Sequence, residues 1–483
     1  MIVLKFGGTS VADAERVGRA AAIVEAQPQP RVAVVSAASG VTNLLLEAAR
    51  AAAEGEATKA EKAVAAIRAK HVAVAAGIAD EAERLGAQAA LDQLHADLDA
   101  ALLEVYAAGE VVGRLSDRVV STGEKAMSVM LAATLRSRGT PAGHVFADRV
   151  VATDDRFGNA RPDRARTREQ ADAVIRPLLD AGLTVVLTGF IGGAPDGSTT
   201  TLGRGGSDYS ATLVGAALDA TEVQIWTDVP GVLTADPRQV PDARVVPQVS
   251  YDEAQELAHF GAKVLHPRTI RPAVTLGIPV RILSTFAPDE PGTLVTRESS
   301  GEQVKAVSVL KGLLQLAIDV PELEDLSAAS AVVFGALRDD RVEVIAASQA
   351  SSRRRMTYLV DAGQHGGCAR VSGRLREALD AADVDAKVAC TENVSLIAAV
   401  GHGAANLPQT LARVLDLLAK ASVPVLSSSL QASNVALTAV VPTTHAERGM
   451  RALHDEFILP QPATAKGRRP RRSELLAESL RVG

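Results

Sequence analysis

Lys5 is the first charged side chain of the chain, and it runs straight into a turn reading Phe6-Gly7-Gly8-Thr9-Ser10. One ammonium beside glycine amides, just ahead of a helical pattern, is a way to hold an anion. Three further glycine-rich turns carry similar chemistry. Ser36–Thr42 reads SAASGVT; Leu202–Asp208 reads LGRGGSD and adds Arg204 and Asp208; Trp226–Gly231 continues to Thr234-Ala235-Asp236-Pro237-Arg238. A phosphoryl group in transit needs dispersed positive charge and amide donors more than a covalent nucleophile, and this set supplies both. No GxxxxGK[ST] occurs, and no GxGxxG follows the first apolar run, so neither a P-loop nor a dinucleotide fingerprint is present. His259 and His266 are not spaced as a metal pair, nor are Cys368 and Cys390, and no protein-built metal site is expected.

The elements that must position these turns alternate. Residues 1–50 read as strand (IVLKF), turn, helix, strand (RVAVVS), turn and helix. Ser10 with Asp13 has capping-box spacing, which predicts a helix directly after the GGTS turn. Alanine-rich helical patterns follow over about 59–76 and 80–108, and another over 121–138, where STGE repeats the capping spacing. Strands are expected at 144–152, 184–190, 222–228 and 278–284. Strands separated by helices predict a largely parallel sheet between helical layers, with ligands at strand ends. After a polar stretch at 297–305 the pattern changes. Gln349-Ala350-Ser351 recurs as Gln431-Ala432-Ser433, each after a strand and a helix, which predicts two βαββαβ units in tandem. Residues 459–483 read as a basic tail or linker, with a short helix after Pro470 bearing Leu475, Leu476 and Leu480 on one side.

The bulk numbers narrow the classes. Of 483 residues, 47% are hydrophobic and 22% charged, a globular composition too long for one core. Aromatics make up 3% and the net charge is −6, which speaks against a nucleic-acid partner. The longest uncharged stretch, 421–446, holds two prolines and alternates like strands, so no membrane span is expected. The opening MIVLKFGGTS lacks the long apolar run of a signal peptide, and two cysteines fit a reducing compartment; a cytoplasmic protein is the expectation.

The segments KFGGTS, VVSAASGVTNLL, STGEK, TDDRFG, TTTLGRGGSDYSA, IWTDVPGV, TADPR and FGAKVLHP occur in the order typical of aspartate kinases. The resemblance spans residues 1–458, and KFGGTS combined with TTTLGRGGSD is highly specific. It implies an amino-acid kinase domain over 1–296 and two ACT-like units over 305–458. It also implies Mg-ATP-dependent phosphorylation of the side-chain carboxylate of L-aspartate to 4-phospho-L-aspartate, the first step toward lysine, threonine and methionine.

Roles follow position by position. The resemblance places Lys5 on the transferred phosphoryl, with Asp208 orienting it; a helix N-terminus would also favour an aspartate there. Gly7, Gly8 and Ser10 would give close backbone approach and donors to phosphate. Arg204 would clamp a substrate carboxylate bidentately, with Gly205, Gly206 and Ser207 completing the pocket. Glu124 would meet the α-ammonium and Thr42 the substrate, although both also suit helix capping. Thr227, Asp228, Leu233, Arg238, Lys263 and Val264 fall on the nucleotide segment. Lys263 follows a helix opened by the Ser250–Glu253 capping box, where a lysine is also favourable to the dipole. Leu233 stands where relatives often carry an aromatic.

Feedback control by lysine, or else threonine, would run through Asp319, Leu326, Val342, Ser348 and Gln349. The 319–328 loop differs from the serine- and glycine-rich loop of lysine-inhibited relatives. ACT units imply a homodimer or larger homo-oligomer. The rivals are a kinase for another carboxylate, such as glutamate, and a non-catalytic amino-acid sensor. Aspartate kinases fused to a second enzyme exist, so the chain is expected to be the kinase part of such a fusion or to carry a dispensable tail.

Overall fold

The computed structural model describes residues 1–261, 267–301, 304–321, 326–350, 354–361, 363, 366–402, 404, 408–430 and 434–459. It divides into two compact units, the first covering residues 1–302 with 400–403 and 431–436, the second the remainder.

The first unit is built on β1 (Ile2–Phe6), α1 (Ala14–Ala26), β2 (Arg31–Val35), α2 (Val41–Ala53), α3 (Ala57–Ala75), α4 (Glu81–Ala108), α5 (Gly113–Ser137) and β3 (Ala142–Val145). It continues through α6 (Arg164–Val174), α7 (Arg176–Asp180), β4 (Thr184–Thr188), β5 (Ile191–Gly193), β6 (Thr199–Thr201), α8 (Gly206–Ala217) and β7 (Glu222–Thr227). It closes with β8 (Gln248–Ser250), α9 (Tyr251–His259), α10 (Pro267–Leu276), β9 (Val280–Ser284) and β10 (Thr293–Thr296). Eight strands form one sheet in the order β3-β4-β2-β1-β7-β9-β10-β8, and β5 pairs with β6 separately. β1 runs parallel to β2 on one side and β7 on the other, so Lys5 lies between Val34 and Ile225. A strand flanked by parallel neighbours is buried on both faces, which is why IVLKF reads as an unbroken apolar run. The order of the chain reverses at β1, and its C-terminal end opens a crevice there.

Helices α1 to α5 cover one face. Small side chains such as Ala48, Ala49, Ala101, Ala132 and Ala133 let them approach closely, and they share a core with Leu4 and Phe6. Local signals were displaced in three places. The GGTS turn becomes a short 3-10 turn at residues 8–11, and α1 starts at Ala14, where Asp13 accepts from the Arg16 N–H. STGE lies in the middle of α5, with Ser121 Oγ donating to the Arg118 carbonyl, so Ser121 and Glu124 cap nothing. The expected strand 144–152 ends at Val145 and gives way to a 3-10 turn at 147–149. The Ser250–Glu253 capping box is formed at α9.

The second unit comprises β11 (Ala306–Asp319), α11 (Leu326–Asp339), β12 (Glu343–Ala350), β13 (Arg355–Asp361), α12 (Cys368–Ala381) and β14 (Lys387–Val400). Then follow α13 (Pro408–Lys420), β15 (Ser427–Leu430), β16 (Ala436–Pro442) and α14 (Thr443–Phe457). The repeats are not two separate sheets in tandem. All six strands join in the order β12-β13-β11-β14-β16-β15. The C-terminal half of β11, Leu314–Asp319, pairs with β13, and its side chains enter a core with Val371, Leu375 and Val388. The last helix, α14, packs on β11 and on Ile397 of β14. Both long strands therefore serve both repeats. Cys368 and Cys390 are joined as a disulfide between α12 and β14, with Cα atoms 5.6 Å apart, which corrects the expectation of reduced thiols. Their sequence spacing carried no sign of it. Residues 351–353, 431–433 and the tail beyond Leu459, with its expected helix, lie outside the described residues.

Candidate active site

The end of β1 delivers Lys5 to the crevice, and the first turn of α8 delivers Asp208. Lys5 Nζ lies 2.6 Å from Asp208 Oδ1, with both side chains largely buried. The two positions proposed for Asp208 coincide: it stands in the favourable first turn of α8 and still holds the lysine. Gly7 lies against the ammonium, since a β-carbon there would begin 3.4 Å from Nζ. Gly8 is needed for packing, because a β-carbon would come within 2.7 Å of the Ala37 carbonyl oxygen. That approach lets the Ser39 N–H reach the Gly8 carbonyl at 3.1 Å and brings the first two glycine turns together.

The crevice has a volume of about 570 Å³ and is lined by Lys5, Gly8, Thr42, Glu124 and residues 203–208, among others. Glu124 is 3% exposed. Its Oε1 accepts from the Ala37 N–H at 3.1 Å, while Oε2 has no hydrogen-bond partner among the described residues. Burial pushes this carboxyl up to about 8, against the lowering effect of the Ala37 amide. Gly123 makes the contact possible, because a β-carbon there would meet Ala37 Cβ at 2.6 Å. A buried carboxylate with one unused oxygen on a cleft is a place for a cation.

Arg204 is exposed at the rim, and among the described residues its guanidinium has no ion-pair partner. Gly205, in the left-handed region at φ +70°, turns the backbone into α8, so Gly206 and Ser207 occupy the first helical positions. Thr42 lies in the first turn of α2, whose N-cap is Gly40, so it does not cap that helix. Phe190 and Asn43 also line the crevice and were missed by sequence reasoning. Phe190 carries a left-handed backbone at φ +68°, a conformation a bulky residue rarely adopts, and no local pattern marks it.

The other predicted positions lie beside the crevice or face elsewhere. Ser10 points inward: its Oγ is 2.7 Å from Thr285 Oγ1, and its N–H donates to the Gly7 carbonyl. In this conformation both its hydroxyl and its N–H are engaged within the protein. Thr227 ends β7 and donates to Asp228. Leu233 bridges to Val245. The exposed Arg238 pairs with Asp236 at 2.7 Å, and this hydrogen-bonded pairing holds the Asp236 carboxyl down at about 2. Lys263, Val264 and His266 lie outside the described residues.

A model of the amino acid kinase family matches residues 1–284, and an ACT domain model matches residues 397–457. The lysine-sensitive aspartokinase 3 of Escherichia coli is 33% identical over 95% of this chain and 99% of its own length. The chain belongs to the aspartokinase family. A chloroplastic bifunctional aspartokinase/homoserine dehydrogenase of Daucus carota is also 33% identical, over 96% of this chain, but the chain spans only 51% of that relative's length. Among solved structures, E. coli aspartokinase III in complex with lysine and aspartate superposes with a TM-score of 0.79 at 32% identity, over 95% of this chain and 100% of that one. The same enzyme with aspartate and ADP gives 0.78 at 32% identity, over 94% and 99%.

Within this aspartokinase fold, the positions named for regulation sit at the end of β11 (Asp319), at the start of α11 (Leu326), just before β12 (Val342) and on β12 (Ser348, Gln349). Asp319 is paired with Arg355 at 2.6 Å, Leu326 and Val342 are buried, and Ser348 and Gln349 are exposed on β12. That strand forms one edge of its sheet. Among the described residues no helix is long and apolar enough to cross a membrane.

Proposed function

We propose that this chain phosphorylates the side-chain carboxylate of L-aspartate with ATP, giving 4-phospho-L-aspartate. The observation that carries the reading is the pairing, in one crevice, of the Lys5–Asp208 couple with the buried, half-satisfied Glu124. Glu124 would take the α-ammonium and Arg204 the α-carboxylate, with Thr42, Gly205, Gly206 and Ser207 closing around the amino acid. This leaves the side-chain carboxylate directed at the phosphoryl site. There Lys5, oriented by Asp208, follows the charge as it moves from the nucleotide to the acceptor oxygen, in line and without a phosphoenzyme. The amides of Gly7 and Gly8 would approach the phosphates. Thr227, Asp228, Leu233, Arg238, Lys263 and Val264 would hold the nucleoside, and Arg238 would first have to leave Asp236.

Mg²⁺ is implied by the nucleotide. Among the described residues no group of three or more His, Cys, Asp or Glu side chains converges, and the crevice carboxylate Asp208 is engaged by Lys5. This donor set fits a cation carried on phosphate and water oxygens, which the crevice carboxylate Asp208 would help to hold. Such an ion supplies charge neutralisation at the phosphates.

Regulation by lysine, through Asp319, Leu326, Val342, Ser348 and Gln349, is supported by the lysine-sensitive relative, and the open β12 edge suits assembly into a homo-oligomer. An ATP-using enzyme of this kind suits the cytoplasm. The test is ADP release with aspartate, glutamate or no acceptor, repeated with added lysine, threonine or methionine. Aspartate-dependent release inhibited by lysine is expected. Turnover with glutamate alone would overturn the substrate, and calorimetry without binding of any of the three effectors would overturn the regulation.

A further inference from the structure

We propose that Asp117 is a positioning residue for amino-acid recognition: from α5 it anchors the loop that carries Arg204 at a fixed distance from Glu124. The inference rests on the reading of Arg204 and Glu124 given above.

Asp117 is 2% exposed and has no cationic partner among the described residues. Its carboxylate instead accepts three hydrogen bonds from two backbone segments. Oδ2 takes the Gly158 N–H at 2.8 Å and the Thr201 N–H at 2.7 Å, and Oδ1 takes Thr201 Oγ1 at 2.9 Å. Thr201 ends β6, three residues before Arg204. The two segments are laced to each other as well, since the Ala160 N–H donates to the Thr201 carbonyl at 2.9 Å. Gly203, at φ +75°, lies so close to this turn that a β-carbon would meet Asn159 Oδ1 at 2.9 Å. One buried carboxylate thus sets where the 201–204 backbone leaves β6.

Asp117 and Glu124 are seven residues apart on one helix, which puts them on the same face about 10 Å apart along the axis. α5 therefore carries the group read as the ammonium's partner and the anchor of the group read as the carboxylate's partner. Arg204 itself is exposed, so its placement depends on the backbone that bears it. The helix acts as a ruler for the separation of ammonium and carboxylate in the bound amino acid.

The test is a double-mutant cycle in the full chain, reading KM for aspartate, KM for ATP and kcat. Asp117→Asn turns an amide NH₂ toward N–H donors and should raise KM for aspartate roughly tenfold, with KM for ATP changed less than about twofold. In an Arg204→Ala background the same change should add less than about twofold. Thr201→Val, which removes one of the three bonds and keeps the side chain's shape, should act in the same direction more weakly and show the same coupling. It decides the matter if Asp117→Asn does not fold. Equal effects with and without Arg204, or an equal rise in both KM values, would assign Asp117 to general stability and overturn the proposal. If Arg204→Ala raises KM for aspartate but neither Asp117→Asn nor Thr201→Val does, only this inference falls. If Arg204→Ala leaves KM for aspartate unchanged, the reading of the site falls with it.

Discussion

Raising the pH should tighten aspartate binding, and Glu124 fixes by how much. Its carboxyl is held at about 8 by burial, so near neutrality most of the empty enzyme carries it protonated. A protonated carboxyl cannot pair with an ammonium, so binding must expel that proton and the apparent affinity scales with the ionised fraction. With a value of about 8, that fraction rises roughly 25-fold between pH 6.5 and 8.5, and one pH unit well below the midpoint is worth about 1.4 kcal/mol. The measurement is KM for aspartate across that range in a coupled ADP-release assay, with KM for ATP as the internal control. The expected result is a steep fall in KM for aspartate that levels off above pH 8, with no matching trend for ATP. Glu124→Gln should raise KM and flatten the profile. A wild-type profile already flat from pH 6.5 would refute the reasoning, because Glu124 would then be ionised without its partner or would not meet the ammonium.

The same group has an opposite effect on the empty fold. Its folded value lies above the unfolded one, so the native state binds more protons between about pH 4.5 and 8 and stability falls as pH rises through that window. Glu124→Gln should therefore melt higher than the parent at pH 8 without ligand, and close to it near pH 4; a lower melting temperature at pH 8 would contradict the assignment. Lys5→Ala should cut kcat by roughly 10²–10³ while aspartate binding, read by calorimetry, changes little. Arg204→Lys should raise KM for aspartate far more than KM for ATP, since an ammonium cannot reproduce the guanidinium fork. Equal effects on both would place Arg204 on phosphate.

Much of the architecture was legible because it follows local rules. An apolar run ending in two glycines marked β1 and its turn, and the Ser250–Glu253 pair marked the start of α9. The crevice was legible where residues stand at strand ends or helix starts, as Lys5, Thr42 and Gly205 to Asp208 do. What escaped depends on partners remote in sequence. Ser121 and Glu124 have capping spacing, but i,i+3 pairs also occur inside helices, and here α5 already begins at Gly113, with Asp117 and Val119 to Glu124 all buried. Ser10 faces inward because Thr285, far along the chain, reaches its hydroxyl. Asp117 has no local signature at all; its partners arrive from Gly158 and Thr201. The repeat was visible, but the sharing of β11 and β14 between its two copies was not, since periodicity reports similarity and not which strands pair.

That sharing also sets an order of events as the chain is synthesised. The C-terminal half of β11 can pair with β13 once the first repeat has emerged. β11 also packs against α14, which is made last. Until α14 arrives, β14 lacks β16 beside it and β11 keeps part of its apolar surface uncovered, a nascent state open to pairing with other chains. A ribosome stalled between the two repeats would hold that state. Pulse-labelled chains released there should aggregate or be degraded faster than chains released after Phe457. In such a regulatory half, neither repeat can be gained or lost alone.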